Sequence, residues 1–337
     1  MAFNDSTLPA LSAKAFQDAL EGDYIKLFAA TSTHTSFYPP ALSHLVHVCP
    51  DIASKPAVPP TTPNLSDRPK RDPFQGPDYG RGEKIVELDV TADNGEPTTY
   101  ACLQNMNALA PEHFLCTPRD FRSQTSDLLR EDLLVAWRIV GAYAKEGRET
   151  MCFFNGGPLA GASQPHLHVQ FIPFQRGAPG PEALARSLPP SSLPRALPLP
   201  YLHLCVSLPD LPSDPTLLSK ALFTTYSSLL AASNSYRARL AEKDLPPAGP
   251  KRASYNLFLS KSHMHLIPRT NRLAVIPRIA SKTSTSGEDW SISVNGLAYL
   301  TYWYVGTREE GTDLESYGLA RVLVESGYDT KLWDEFQ

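Results

Sequence analysis

A glycine-rich loop runs directly into two closely spaced histidines in the stretch Gly156-Gly157-Pro158-Leu159-Ala160-Gly161-Ala162-Ser163-Gln164-Pro165-His166-Leu167-His168-Val169-Gln170. The residues after the loop have the apolar and β-branched character of a strand, predicted over 166–172. Alternate side chains of a strand point to opposite faces, so His166, His168 and Gln170 share one face and the apolar residues between them face the core. Unpaired polar groups on a covered strand cost roughly 1–3 kcal/mol each, so this face predicts polar partners or a ligand.

The glycines before the histidines favour a loop that binds an anion. Gly156, Gly157 and Gly161 permit positive φ and a close approach of the backbone to a ligand. Consecutive N–H groups in such loops form concave anion sites, and Ser163 adds a hydroxyl donor. A neutral imidazole is a competent nucleophile, and its ordinary pKa of about 6.5 leaves it mostly neutral near pH 7. The stretch therefore predicts an oxyanion cradle beside a candidate nucleophile.

Composition excludes several classes of protein. The chain has 337 residues, which suggests about two domains or one large α/β unit. Forty-two per cent of them are hydrophobic, which excludes a wholly disordered chain. The net charge of −4 gives no electrostatic footprint for duplex nucleic acid or an anionic membrane. The 32 prolines predict long loops.

Cysteine usage favours a reducing compartment. The chain has 5 cysteines and no C-x-x-C spacing, which argues against a disulfide framework and a zinc ribbon. The first residues lack the basic and apolar regions of a signal peptide. The longest mostly apolar stretch, about ten residues at 296–305, is too short to span a bilayer. We therefore expect a soluble protein of the cytoplasm, with the nucleus as an additional compartment.

Helical and strand-like segments alternate irregularly along the chain, which favours an α+β fold with a mostly antiparallel sheet over a doubly wound one. Apolar spacing predicts helices at about 11–20, 125–145 with Thr125 or Ser126 as its cap, 214–240 and 314–334. Short apolar runs predict strands at 24–29, 84–90, 98–104, 114–117, 151–154, 166–172, 254–259, 263–267, 273–276 and 297–305. The segments 50–82 and 173–216 show no period and predict a long loop and a proline-rich linker.

The histidine pair has a weak echo later in the chain. The stretch His263-Met264-His265-Leu266-Ile267 follows the first pair by about a hundred residues. Two interpretations stay open at this point, namely a duplicated unit with one active copy and a chance repeat. We divide the chain into a catalytic half at 1–175, a proline-rich excursion at 176–215 and a second half at 216–337. His263 and His265 are expected at the surface or as part of that second half.

The pattern N-x-G-x-x-x-G-A-S-Q-P-H-x-H-x-Q runs from Asn155 to Gln170. It resembles the motif of the histidine-triad superfamily, in the branch whose motif ends in glutamine. Within that branch the chain resembles the fungal diadenosine tetraphosphate phosphorylases, also called ATP adenylyltransferases, with galactose-1-phosphate uridylyltransferase as a more distant relative. The resemblance extends over roughly 10–330 through the blocks Ala53-Ser54-Lys55-Pro56, Asp72-Pro73-Phe74, Asn105-Met106-Asn107-Ala108, Pro111-Glu112-His113-Phe114, Ser254-Tyr255-Asn256, Pro268-Arg269 and Val294-Asn295-Gly296-Leu297. It implies a histidine-triad-like fold, with an N-terminal nucleotidyltransferase region and a C-terminal adenylyltransferase half.

The resemblance also implies roles for individual residues. His168 would attack the α-phosphorus and carry a nucleotidyl group, Gln170 would donate to a phosphoryl oxygen, and His166 would brace the site. A glutamine cannot shuttle a proton, which suits transfer to an acceptor other than water. The implied substrate-binding residues are Lys55, Asn105, Met106, Asn155, Gly161, Ala162, Ser163, Gln164, Gln170, Asn295, Gly296, Leu297 and Tyr302. For His113 we leave open whether it packs in the core or lines the site.

The implied reaction is reversible phosphorolysis of diadenosine tetraphosphate to ADP and ATP through adenylyl-His168. The expected partners are therefore small molecules: the dinucleotide, ATP, ADP and inorganic phosphate, with no nucleic acid and no membrane. A divalent cation, Mg²⁺, would neutralise the polyphosphate, and no dedicated carboxylate cage for it is evident. Neither a resident metal nor zinc is expected, because the C-x-x-C pair of some uridylyltransferases is absent. The oligomeric state is left open.

The chain departs from the family pattern at a few positions. Gly306 stands where a lysine is usual, and Arg308 is a candidate replacement. Leu167 and Leu159-Ala160 replace more polar residues, which leaves base and chain-length preference open. The alternatives are a dinucleoside polyphosphate hydrolase, an ADP-sulfurylase-type exchange, a metal-dependent enzyme that uses the H-x-H pair, and a non-catalytic nucleotide-binding protein.

Overall fold

Nine antiparallel strands form one sheet that runs through both halves of the chain in a computed structural model. The model describes residues 7–38, 42–54, 64–69, 71–75, 83–92, 95–174, 177–242, 253–279, 289–331 and 333. The strands are β4 (Lys84–Thr91), β5 (Pro97–Gln104), β7 (Phe114–Pro118), β8 (Glu149–Gly156), β9 (Val169–Phe174), β10 (Arg195–Ala196), β11 (Leu204–Ser207), β12 (Ser254–Leu259) and β13 (His263–Arg269). Their order across the sheet is β10-β11-β13-β12-β8-β9-β7-β5-β4. The expectation of an α+β fold with a mostly antiparallel sheet is confirmed.

Strand order shows the same unit twice. In the first half, β5 and β7 precede helix α2 (Arg130–Lys145), and β8 and β9 follow it. In the second half, β10 and β11 precede helix α4 (Pro215–Glu242), and β12 and β13 follow it. The two units lie in the sheet as β5-β7-β9-β8 and β12-β13-β11-β10, joined through the β8–β12 pair. The two histidine pairs therefore lie at corresponding places, which favours duplication over a chance repeat. His166 and His168 directly precede β9, and His263 and His265 lie in β13.

Each face of the sheet has its own apolar core. On one face α2 and α4 pack over a cluster that includes Leu167, Val169, Phe171, Met264 and Leu266. On the other face a second cluster includes Ile172 and Ile267. That face is covered by the small sheet of β2 (Ser32–Tyr38), β3 (Leu42–Val48) and β16 (Tyr302–Val305) and by helices α3 (Gly180–Arg186), α5 (Gly296–Tyr299), α6 (Arg308–Tyr317) and α7 (Leu319–Ser326). The predicted alternation is confirmed, because the apolar residues between the histidines lie in the first core.

Smaller elements complete the chain. They are α1 (Leu8–Glu21), β1 (Lys26–Leu27), a 3-10 turn at Pro50–Ser54, β6 (Asn107–Ala108), β14 (Leu273–Ile276) and β15 (Trp290–Ser293). Strands β1 and β6 pair in parallel, and β14 and β15 form an antiparallel pair. Among the described residues no helix has both the length and the apolar character needed to cross a membrane.

Several expectations about secondary structure were wrong. The predicted strand 166–172 begins at Val169, and the predicted helix 314–334 is two helices, α6 and α7. Helix α2 begins at Arg130 rather than near Thr125, and Asp132 accepts the N–H of its N-cap residue, Leu129, at 2.7 Å. The predicted strand 297–305 is the short helix α5 followed by β16. The proline-rich segment is not irregular throughout, because α3, β10 and β11 lie within it. The boundaries at 175 and 215 stay a prediction.

Candidate active site

His168 lies at the end of the glycine-rich loop, just before β9, and it is buried. Its Nδ1 lies 2.9 Å from the carbonyl oxygen of His166, so Nδ1 carries the proton and donates it. The lone pair of the neutral ring is therefore on Nε2. Burial lowers the pKa of His168 to about 4, although the His166 carbonyl opposes that shift. The ring is thus neutral at pH 7 and has a nucleophilic nitrogen.

A buried carboxylate holds His166. Oδ2 of Asp72 accepts from Nδ1 of His166 at 2.8 Å, and both side chains are buried. Burial lowers the pKa of His166, and Asp72 opposes that shift by favouring the charged ring. The other carboxylate oxygen accepts the Phe74 N–H at 3.0 Å, and the Phe74 ring meets the edge of the His168 ring at 5.2 Å. Asp72 and Phe74 therefore fix the histidine pair from a segment distant in sequence.

Gln124 holds the backbone around His168, and sequence reasoning missed it. Its Oε1 accepts the His168 N–H at 2.8 Å. Its Nε2 donates to the carbonyl oxygens of Asn155, at 2.9 Å, and of His168, at 3.3 Å. The side chain is fully buried. A lone glutamine before a predicted helix carries no local signal for this role.

The glycine-rich loop packs tightly on the second half of the chain. Gly161 has φ +88°, and a Cβ there would lie 2.6 Å from the Cβ of Asn295. The carbonyl of Ala160 accepts from Nδ2 of Asn256 at 3.0 Å and from Nη1 of Arg269 at 3.4 Å. Only glycine fits at position 161, because the loop packs directly against Val294 and Asn295. We call the loop and the 294–296 segment the rim. The Ser163 side chain on this loop is exposed.

Gln170, on β9, is held by a polar network. Its Oε1 lies 3.0 Å from Nε2 of His113 and 3.5 Å from Nδ2 of Asn105. His113 is buried, and its ring also packs against the Phe153 ring at 6.0 Å. His113 therefore does both things that the sequence left open: it packs in the core, and it contacts the candidate catalytic residue.

One group of described residues could hold a metal ion, and it is not at His168. Ligand atoms of Glu182, His263 and His265 lie within 4.8 Å of one another, and all three side chains are buried. The expectation that the second histidine pair is at the surface was wrong, because both side chains are buried. Among the described residues, no third ligand atom joins His166 and His168 to form a comparable group. This geometry disfavours the metal-dependent alternative at His166 and His168.

Two family models match consecutive parts of the chain. The Ap4A phosphorylase N-terminal domain matches residues 43–184, and the ATP adenylyltransferase C-terminal domain matches residues 197–329. The chain belongs to the family of Ap4A phosphorylases and ATP adenylyltransferases. The predicted family is therefore confirmed, and its members are enzymes.

Relatives and solved structures agree with this family. Diadenosine 5',5'''-P1,P4-tetraphosphate phosphorylase 2 of Saccharomyces cerevisiae is 27% identical over 318 residues, which cover 88% of this chain and 86% of that protein. Protein APA1 of the same yeast is 28% identical over 221 residues, which cover 62% of this chain and 66% of that protein. The crystal structure of yeast Ap4A phosphorylase Apa2 in complex with Ap4A has a TM-score of 0.70 at 20% identity and covers 98% of this chain and 99% of that chain. The complex of Apa2 with AMP has a TM-score of 0.71 at 21% identity and covers 98% of each chain, so the fold is shared.

Several residues that the family resemblance assigned to substrate binding make internal contacts. Oδ1 of Asn155 accepts from Nδ2 of Asn256 at 2.7 Å and from the Gly296 N–H at 3.0 Å. Oδ1 of Asn295 accepts the Leu297 N–H at 3.0 Å and so caps α5. These contacts hold the rim in shape. A direct contact of the same residues with substrate stays a prediction.

The remaining predicted residues fall in different places. Met106 is 42% exposed, next to Asn105, and is available to a ligand. The Tyr302 ring stacks on Phe174 at 5.3 Å and on His47 at 6.1 Å, between β9 and the small sheet. Arg308 begins α6 with an exposed side chain. Gly306 donates its N–H to Glu310 at 2.8 Å. Lys55 lies outside the described residues.

Proposed function

We propose that this enzyme catalyses the reversible phosphorolysis of diadenosine tetraphosphate to ADP and ATP through an adenylyl group on His168. The observation that carries the proposal is the neutral His168 ring, whose Nδ1–H is committed to the His166 carbonyl. The family and the yeast phosphorylases named for this dinucleotide support the choice of substrate.

The first half-reaction transfers the adenylyl group to the protein. The lone pair on Nε2 of His168 attacks the α-phosphorus, a P–N bond forms, and the bond to the bridging oxygen breaks. ATP leaves with that electron pair, and the imidazole ring becomes cationic. The hydrogen bond from Nδ1 to the His166 carbonyl stabilises the positive charge, because a hydrogen bond becomes stronger when its donor is charged.

The second half-reaction returns the enzyme to its starting state. An anionic oxygen of inorganic phosphate attacks the α-phosphorus, a P–O bond forms, and the P–N electron pair returns to Nε2 of His168. ADP leaves, and no proton has to be removed from the attacking oxygen. Gln170, which can donate but cannot shuttle a proton, suits such an acceptor. Catalysis is then mainly positioning and charge stabilisation.

Charge on the phosphates would be met by the glycine-rich loop. Its candidate donors are backbone N–H groups and the exposed hydroxyl of Ser163. We further propose Lys55, Asn105, Met106 and residues 295–297 as substrate contacts. Mg²⁺ would enter with the polyphosphate as part of the substrate, with no zinc required. All five cysteines are free and buried, which supports the proposed location in the cytoplasm.

The test is product analysis after incubation with diadenosine tetraphosphate and Mg²⁺, with and without phosphate. We expect ADP and ATP, and only when phosphate is present. AMP and ATP without phosphate would show a hydrolase instead, and ADP-sulfurylase-type exchange would appear when sulfate replaces phosphate. Binding without turnover in any tube would contradict the proposal and favour a nucleotide-binding protein.

A further inference from the structure

The amide of Gln170 can face its ligand in two ways, and only one of them gives the reaction a donor. A glutamine side chain has an oxygen that accepts and a nitrogen that donates, and a rotation of 180° about its last bond exchanges them. To stabilise a phosphoryl group on His168, the nitrogen must point to the substrate and the oxygen away from it. The question is which neighbours select that orientation.

Two backbone N–H groups set the direction of the hydrogen bonds around Gln170. The Leu109 N–H donates to Nδ1 of His113 at 3.3 Å, so a neutral His113 ring carries its proton on Nε2. The Asn107 N–H donates to Oδ1 of Asn105 at 3.0 Å, so Nδ2 of Asn105 points away from that N–H and toward Gln170. Nε2 of His113 and Nδ2 of Asn105, which lie 3.2 Å from each other, both face Gln170, at 3.0 Å and 3.5 Å. With a proton on each of these nitrogens, the atom of Gln170 that can accept from them is its oxygen.

The position of His113 is itself well determined. Its N–H donates to the Ala110 carbonyl and its own carbonyl accepts the Asn105 N–H, each at 3.2 Å. The preceding residue, Glu112, has φ +56°, a backbone conformation that non-glycine residues rarely adopt. Arg148 donates to Glu112 at 2.6 Å and holds that turn. A strained, braced turn directly before a buried histidine indicates that the ring position matters.

We infer that His113 is a positioning residue, which holds the Gln170 oxygen so that the Gln170 NH2 group points to the phosphoryl oxygens on His168. Among the residues that the structure describes, Nε2 of Gln170 has no hydrogen-bond partner, so its two donors are available to substrate. This inference rests on the proposed function. It adds to that function a residue whose effect on the reaction passes through Gln170 alone.

Two conservative variants separate this role from packing. In His113→Gln the amide nitrogen can take the place of Nε2 and still donate to Gln170. In His113→Asn the shorter side chain can accept the Leu109 N–H but cannot reach Gln170. We expect kcat for phosphorolysis to stay within about threefold in the first variant and to fall about tenfold or more in the second, with KM for the dinucleotide within about threefold in both. Asparagine is also the smaller side chain, so a packing role can give the same order. It predicts, however, that the loss follows the unfolding midpoint and does not depend on the residue at position 170.

The matched control is the same pair of variants in a Gln170→Ala background. There the loss caused by His113→Asn should shrink to less than about twofold, because the group it positions is gone. Equal losses in both backgrounds, or equal activity of the two His113 variants, would overturn the inference. A wild-type enzyme without turnover would instead defeat the proposed function.

A second measurement does not depend on activity or on a variant's stability. Nitrogen NMR of histidine-labelled wild-type protein reports which ring nitrogen of His113 is protonated, with the signal assigned by its loss in His113→Gln. We expect the Nε2–H form, in the free protein and with AMP bound. A proton on Nδ1 would leave Nε2 without a donor for Gln170 and would overturn the inference.

Discussion

The two histidine pairs lie at corresponding places of a repeated unit, one directly before β9 and one in β13, yet their environments differ. In the first half Nδ1 of His168 bonds to a backbone carbonyl, and no described residue bonds to its Nε2. In the second half His265 and His263 both contact the Glu182 carboxylate, at 2.8 Å and 3.2 Å. The residue next in line on the same face is Gln170 in the first half and the fully buried Ile267 in the second. The corresponding segment thus holds the candidate nucleophile in the first half and two histidines paired with a buried carboxylate in the second.

The connection before each strand accounts for the difference. Between β8 and β9 the chain inserts the glycine-rich loop at 157–168, so His168 directly precedes the strand. Between β12 and β13 only residues 260–262 intervene, and His263 begins the strand itself. The short turn carries both histidines into the sheet, where Glu182 of α3 pairs with them. The length of the preceding loop, rather than the shared histidine spacing, therefore distinguishes the candidate active site from the second histidine pair.

The largest effect we expect comes from removing the proposed nucleophile. His168→Ala should lower kcat for phosphorolysis by at least about 10⁴-fold, because it removes the nitrogen that forms the bond to the α-phosphorus in the proposed reaction. The matched change in the other half, His265→Gln, should leave kcat of the folded protein within about threefold. Chromatography of ADP and ATP measures both rates. Similar losses in the two variants would break the functional contrast between the halves.

A smaller loss is expected when the first half is given the residue of the second. Gln170→Ile copies the side chain at 267 and removes the donor aimed at the phosphoryl group. We expect kcat to fall about 10²- to 10³-fold and the free energy of unfolding to fall by about 1–3 kcal/mol, because Nε2 of the buried His113 loses its acceptor. The unfolding midpoint serves as the control. Unchanged kcat in a well-folded variant would show that this position contributes no donor to the reaction.

Asp72 should matter less, because it acts on His168 through His166. Asp72→Ala leaves Nδ1 of His166 without its buried acceptor, and the His166 carbonyl that receives the His168 proton is then free to shift. We expect kcat to fall about tenfold to a hundredfold with KM nearly constant. Initial rates over a range of dinucleotide concentrations separate the two constants. A change in KM alone would mean that Asp72 shapes substrate binding instead.

The sequence predicted the parts of this comparison that depend on local pattern. Strands β12 and β14 match their predicted bounds, and the alternation at His166 and His168 placed the polar face correctly. It could not reveal Asp72, Gln124 or Glu182 as partners, because those contacts join segments that are distant in the chain. The periodicity of a sequence indicates local secondary structure and does not indicate contacts between distant segments.

Other misses have local physical causes. The stretch before α2 is polar and helix-compatible, but Gln124 holds the backbone around His168, and the Leu128 N–H bonds to Tyr226, so the helix starts late. The apolar run 297–305 reads as one strand, yet Asn295 caps a helical turn there. In both cases contacts with remote residues outweigh the weak local preference.

The pH dependence of the first half-reaction gives a smaller, sharper test. The pKa of His168 is lowered to about 4, so its ring stays neutral as pH falls from 8 to about 5 and becomes protonated only on approaching pH 4. We therefore expect the single-turnover rate of adenylyl transfer, measured without phosphate, to vary less than about twofold over that range. Rapid quench followed by chromatography of released ATP gives this rate. A loss with a midpoint near 6.5 would show that the ring is not shielded from water.

The smallest expected effect on activity concerns the second half, where the effect on stability is large. Burial disfavours a charged His265 ring, but the Cys205 sulfur and the Glu182 carboxylate outweigh burial and raise the pKa of His265 to about 10. Burial also opposes charge on Glu182, but His263 and His265 hold its pKa well below its ordinary value. The stability that the raised pKa of His265 contributes is fully present below about pH 6.5 and is lost as pH rises through about 10.

Glu182→Gln should therefore leave kcat within about threefold and lower the free energy of unfolding by about 3–5 kcal/mol at pH 6, because it leaves a buried charge without its partner. The difference between variant and wild type should narrow as pH rises toward 10. Urea unfolding at several pH values measures it, with metal analysis of the same samples to show whether an ion rather than a proton balances the carboxylate. A folded variant that loses activity would mean that the ion pair between Glu182 and the second histidine pair supports the candidate active site. The two histidine pairs would then not differ in kind.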